Sequence, residues 1–85
     1  MVSGAQIRAA RALLGISLEG LAEISSVSWA TIQRFESLDG VPPSRSGTLE
    51  RVQAALEAAG VVFLGDPVSA PGVQLRPGLV VPVKV

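Results

Sequence analysis

The fold is decided by residues 4–36, which read GAQIRAARALLGISLEGLAEISSVSWATIQRFE. Three helix starts stand in or just before this stretch, because Ser3, Ser17 and Ser28 each precede apolar residues at helical spacing. Around each serine, one apolar residue comes directly before it and another four residues after it, which is the spacing of a hydrophobic staple. The stretch therefore predicts three short helices joined by tight connections.

Stop signals in the sequence set the helix ends, because glycine, proline and paired serines interrupt helical periodicity. The predicted boundaries are a first helix ending at Gly15, a second over about residues 18–24, a third over about residues 29–38 and a fourth from about Thr48 to Gly60. Each of the four segments carries one apolar stripe, which we expect to face the core. The sequence therefore predicts a mainly α domain over residues 1–60, with four or five helices.

The pattern of apolar residues changes at Gly60. Residues 61–64 are β-branched or aromatic, and Val73 to Arg76 form a second short run of the same kind, so both are predicted strands. The run from Leu79 to Val83 is extended and apolar, and its Pro82 is typical of an edge strand or a tail. Residues 61–85 are therefore predicted to be a short β-hairpin or extended C-terminal extension that serves in dimerisation or partner binding.

The amino-acid composition limits the kinds of chemistry that this chain can perform. The 85 residues contain seven basic and seven acidic side chains, with no cysteine and no histidine. Disulfides and thiolate metal sites are excluded, and the commonest general base and zinc ligand are missing. No secretory signal or membrane span is visible. We therefore expect a cytoplasmic protein that is not an enzyme, with no cofactor, no small-molecule substrate and no membrane partner.

A specific order of short motifs runs through residues 2–64. A first helix ends in Leu-Gly, a serine-capped helix carries Leu-Ala, a Val-Ser turn follows, and the next helix ends in Ile-x-x-x-Glu. In this chain they are Leu14-Gly15, Ser17, Leu21-Ala22, Val27-Ser28 and Ile32 to Glu36. This order resembles the helix-turn-helix domains of the lambda-repressor-like (Cro/CI, XRE) family. The resemblance implies a lambda-repressor-like fold.

The resemblance also implies a DNA-binding surface. The second helix of the motif would enter the major groove, with its N-terminal residues facing base edges. In this chain, the resemblance places the candidates for DNA or partner binding at Ser28, Trp29, Ala30, Gln33 and Arg34. It also places Ser17 and Leu18 near a phosphate, and Ser44 and Arg45 beside the DNA backbone. In the same pattern, Arg11 and Glu36 correspond to a structural ion pair between the first and third helices.

Two functions are compatible with these residues. The first is a sequence-specific, DNA-binding transcriptional regulator that binds a double-stranded operator as a homodimer. The alternative is an antiactivator or antitoxin-like interaction module, which binds and inhibits a transcription-regulator protein instead of DNA. The zero net charge, Leu18 and the pair Trp29-Ala30 favour the alternative, because polar or basic side chains usually contact DNA.

Overall fold

The computed structural model describes residues 1–44 and 47–76. This part of the chain forms four helices, followed by an antiparallel hairpin of two strands. They are α1 (Gly4–Leu14), α2 (Leu18–Ser25), α3 (Trp29–Glu36), α4 (Thr48–Ala58), β1 (Val61–Leu64) and β2 (Gly72–Leu75). The mainly α fold and the C-terminal hairpin are as predicted. Arg45 and the predicted extended run from Leu79 to Val83 lie outside the described residues.

The first three helices begin with serine caps, as the sequence predicts. Each serine Oγ accepts a hydrogen bond from the backbone N–H three residues further along the chain. The N···O distances are 3.1 Å for Gln6 to Ser3, 3.0 Å for Gly20 to Ser17 and 3.3 Å for Thr31 to Ser28. Gly15 ends α1 with a left-handed φ of 71°. These local bonds fix the residue at which each helix starts. The apolar stripe of each helix then determines which of its sides faces the core.

The core lies where the four helices meet β1. Its fully buried residues include the staple residues that flank the first and third serine caps. The buried apolar side chains are Val2, Ile7, Ala10, Leu21, Val27, Ile32, Phe35, Leu49, Val52, Leu56 and Val61. Because Val61 belongs to this cluster, the hairpin shares the core of the helices. In the described part of the chain, no helix is long and apolar enough to cross a membrane.

Several boundaries differ from the prediction by one or two residues. The third helix ends at Glu36 and not near Leu38, because the N–H of Leu38 bonds to the carbonyl of Phe35 and tightens the last turn. The second strand both begins and ends one residue earlier than predicted, at Gly72 and Leu75, and Gly72 pairs with Leu64. Small shifts of this kind depend on tertiary pairing, which the local sequence does not contain.

The start of α1 lies against the end of α3. The N–H of Gly4 donates to the carbonyl of Gly40 at 2.9 Å. A Cβ atom at Gly4 would lie 2.0 Å from the carbonyl oxygen of Leu38 and 2.1 Å from that of Phe35. Only a residue without a side chain permits this approach of two backbones.

Gln6 fastens the hairpin to α1. Its Oε1 accepts from the N–H of Ser3, which completes the capping box that the spacing predicts. Its Nε2 donates to the carbonyl oxygens of Leu64 and Gly72, at 3.2 and 3.1 Å. Gln6 is only 2% exposed, so these bonds satisfy an amide that has left water. One side chain therefore caps a helix and holds both strands.

Candidate functional site

The turn between α2 and α3 sets the direction of α3. Ser26 ends α2 in the left-handed region, with φ 59°, which few residues other than glycine adopt. The Oγ of buried Ser25 donates to the carbonyl of Leu21 at 2.7 Å and accepts from the N–H of Val27 at 3.3 Å. Val27 is buried directly after the turn. The turn is short, and the two bonds of the Ser25 hydroxyl connect its start to its end, where α3 begins.

The predicted contact residues on α3 share one exposed side of the helix. We call this set the α3 surface, and it consists of Trp29, Ala30, Gln33 and Arg34. These positions fall on adjacent rows of a helix, while the side chains of Ile32, Phe35 and Glu36 are buried. Trp29 keeps 47% of its surface exposed. Ser28 precedes the α3 surface, and its Oγ is occupied as the helix cap.

An open groove separates α3 from the loop that leads to α4. Its described lining consists of Thr31, Arg34, Phe35, Pro43, Ser44 and Thr48. The Oγ of Ser44 accepts from the N–H of Leu49, in the first turn of α4. The Arg34 guanidinium lies 5.4 Å from the centre of the Phe35 ring, within range of a cation–π contact. The groove thus brings Ser44, a predicted backbone contact, to the same side of the molecule as Arg34.

Ser17 and Leu18 lie apart from the turn that presents the α3 surface. They stand at the opposite end of α2, which is about 12 Å long at 1.5 Å per residue. Ser17 is exposed and its Oγ is occupied by the cap bond to Gly20. Leu18 is half-buried and packs against the core. Leu18 therefore contributes to the core, and its contact with a phosphate or a partner stays a prediction.

Arg11 and Glu36 form the ion pair that the sequence predicts. The Nε and a terminal nitrogen of Arg11 donate to the two carboxylate oxygens of Glu36, at 2.9 and 3.0 Å. The hydrogen bond from Glu36 raises the pKa of Arg11 above its ordinary value, although burial opposes the shift. A further bond from Arg11 reaches the carbonyl of Ile16 at 3.3 Å. The pair links α1 to α3 and to the connection before α2, so both residues are structural.

The α3 surface has little positive charge around it. Arg8 pairs with Asp39 at 3.0 Å. In residues 1–44 and 47–76, the arginines without a carboxylate partner are Arg34, Arg51 and Arg76. Two of these three contact backbone carbonyls instead, Arg51 that of Ser26 and Arg76 that of Glu57. Arg34 is therefore the cation that the α3 surface itself supplies.

Metal binding finds no support in the part of the chain that the structure describes. No three histidine, cysteine, aspartate or glutamate side chains are grouped there as metal ligands would be. Glu19 and Glu23 share α2 and are both exposed to solvent. Two solvated carboxylates on a helix are best described as surface charges.

Comparison with known protein families and with curated proteins finds no match to this chain. The resemblance of residues 2–64 to lambda-repressor-like domains therefore remains a prediction from the sequence. The structure has two short helices, α2 and α3, joined by a tight turn, and α3 is exposed on one side.

Proposed function

We propose that this protein is a sequence-specific, DNA-binding transcriptional regulator of the lambda-repressor-like helix-turn-helix class. In this proposal α3 enters the major groove of an operator, and two copies bind as a homodimer in the cytoplasm. The observation that carries the proposal is the α3 surface, because it is exposed along the helix and follows a short, hydrogen-bonded turn. A helix of this kind fits the width of the major groove.

The side chains of the α3 surface suit base edges. An amide such as Gln33 can bond in a bidentate manner to adenine, and a guanidinium such as Arg34 can do so to guanine. The hydroxyl of Ser44, across the groove from Arg34, suits a phosphate oxygen. One cation on the surface gives a weak hold on phosphates, so pairing of two copies would double the contacts and set the spacing of half-sites.

Replacing Arg34 with alanine is expected to weaken operator binding by about 1–3 kcal/mol, the range for loss of a bidentate base contact. The control is Arg76→Ala, which removes the same charge from a side chain that contacts the end of α4. Genomic fragments selected by the parent protein provide the sites, and titrations at several salt concentrations provide the affinities. Affinity should fall as salt rises, because bound cations release counterions from the phosphates.

Three results would contradict this proposal, the first two by excluding DNA binding and the third by excluding the role of Arg34. The first is a folded parent protein that selects no fragment at low salt. The second is an affinity that does not change with salt concentration. The third is an Arg34→Ala variant that binds as tightly as the Arg76→Ala control.

A specific observation favours a second function, an interaction module that binds a transcription-regulator protein. Trp29 leaves 47% of its surface exposed at the start of α3, where a polar base-reading residue would suit DNA better. Ala30 beside it lets another backbone approach closely. A protein groove could bury the whole indole ring, whereas DNA offers it a thymine methyl or a sugar.

Replacing Trp29 with alanine is expected to damage function more than Gln33→Ala does, while both variants keep the fold. A buried tryptophan anchor contributes about 2–4 kcal/mol to a protein interface. Each variant is titrated against the operator and used in pulldowns with candidate regulators. If Trp29→Ala leaves both activities at the parental level, the residue only packs on its own domain and the second function loses its support.

A further inference from the structure

The loop that follows α3 contains the dipeptide Asp39-Gly40. The Asp39 side chain is 93% exposed, and its Oδ1 accepts a hydrogen bond from Arg8 at 3.0 Å. Both residues of the dipeptide lie outside the helices and strands. No helix or strand hydrogen bonds therefore fix their backbone torsion angles.

The backbone nitrogen of Gly40 is accessible next to the Asp39 carboxyl group. Within residues 1–44 and 47–76, the N–H of Gly40 donates no hydrogen bond, whereas its carbonyl accepts one from Gly4. A Cβ atom at Gly40 would meet no other atom within 4 Å, so the space around this residue is open. Because glycine has no side chain, its nitrogen is also the least hindered of any residue with an N–H.

The second aspartate of the chain differs from Asp39 in both respects. Asp66 is exposed as well, but it is followed by Pro67, whose nitrogen carries no hydrogen. Its Oδ1 accepts from the N–H groups of Val68 and Ser69, both at 2.9 Å, which holds the carboxylate in a turn. The chain has no asparagine. Asp39 is thus the side-chain carbonyl group of this kind that has an unbonded N–H directly after it.

We propose that Asp39 is a modification site, at which the chain isomerises spontaneously to isoaspartate through a cyclic succinimide. The nitrogen of Gly40 attacks Cγ of the protonated Asp39 carboxyl group. The N–Cγ bond forms, a Cγ–O bond breaks, and the N–H proton leaves with the hydroxyl group as water. Water then adds to the main-chain carbonyl carbon of Asp39 and breaks its bond to nitrogen. The main chain now runs through Cγ, and the mass is unchanged.

The modification falls where the end of α3 is attached to the start of α1. The carbonyl of Gly40 accepts from the N–H of Gly4 at 2.9 Å, and the carboxylate of Asp39 accepts from Arg8. Isoaspartate adds one methylene group to the main chain between these two acceptors, so both cannot keep their present positions. In a domain of this size, losing one net hydrogen bond lowers Tm by about 4–8 °C.

Storage of the purified full chain in neutral buffer, followed by peptide mapping, tests the proposal. Because isomerisation leaves the mass unchanged, isoaspartate is detected by chromatographic separation of the peptides and by labelling with an isoaspartate-specific methyltransferase. We expect isoaspartate to accumulate at Asp39 and not at Asp66. The isolated isomer should unfold about 4–8 °C below the fresh protein.

The matched control is Asp39→Glu, which keeps the charge at this exposed position but would have to close a less favourable six-membered ring. It should reduce the label to the level found at Asp66. Asp39→Asn should form the same succinimide with release of ammonia, which a gain in mass then reports.

The proposal is overturned if the stored parent contains no isoaspartate at Asp39, or if Asp39→Glu accumulates as much label as the parent. An isomer with the Tm of the fresh protein would contradict the predicted effect on the attachment of α1. No step involves DNA, so none of these results bears on the proposed function.

Discussion

Replacing Arg11 with methionine is expected to destabilise the fold by about 3–5 kcal/mol, the usual cost of leaving one partner of a buried ion pair behind. Glu36 is only 7% exposed, and both of its carboxylate oxygens bond to Arg11. Without Arg11 the carboxylate remains in the interior with its charge uncompensated. The carbonyl of Ile16 also loses a donor.

Changing Glu36 in place of Arg11 gives the variant with which the loss of stability is compared. Glu36→Gln should cost less, because the Arg11 side chain is 26% exposed and water can reach its charge. The double variant Arg11→Met with Glu36→Leu should lose less than the sum of the two single changes, since neither partner is left unpaired. Urea unfolding followed by circular dichroism gives the three free energies. Single variants that unfold at the parental midpoint would show that the pair does not stabilise the fold.

Replacing Gly4 with alanine is expected to cost about 1–3 kcal/mol or more, the range for overpacking a filled interior. The added methyl group would lie about 2 Å from two carbonyl oxygens, those of Phe35 and Leu38. Backbone oxygens cannot rotate aside as a flexible side chain can. The start of α1 must therefore move away from the end of α3, which also weakens the bond from Gly4 to Gly40.

The matched control is the same substitution at Gly20, in α2. A Cβ there meets its nearest atom, the Oγ of Ser17, at 3.4 Å, which is an ordinary contact. Gly20→Ala should stabilise the protein by about 0.5–1 kcal/mol, because alanine loses less backbone freedom in a helix. Thermal unfolding of the two variants should therefore shift in opposite directions. Equal shifts would mean that the approach of α1 to α3 imposes no steric limit.

The parts of the fold that could be predicted are those fixed by neighbours along the chain. Ser3, Ser17 and Ser28 bond to N–H groups three residues away, so the sequence alone contains both donor and acceptor. The left-handed residue Gly15 is likewise a local feature. The exposed side of α3 follows from helical spacing once the buried residues are known.

The parts that could not be predicted depend on distant backbone. Nothing near Gly4 in the sequence indicates that two carbonyl groups lie against it. Gln6 has the spacing of a capping residue, and its second role depends on the carbonyls of Leu64 and Gly72. The groove beside Arg34 likewise needs Ser44 to fold back from the following loop. Such contacts are set by packing among elements, which short-range patterns do not encode.

The double role of Gln6 bears on the order in which this chain acquires its structure during synthesis. Its two carbonyl acceptors lie 58 and 66 positions further along the chain. The first helix can be capped as soon as it leaves the ribosome, but the amide nitrogen of Gln6 gains its acceptors only after the hairpin has been made. Closing loops of that length slows folding. The bonds that hold α1 to the hairpin can therefore form only after Leu64 and Gly72 have been made.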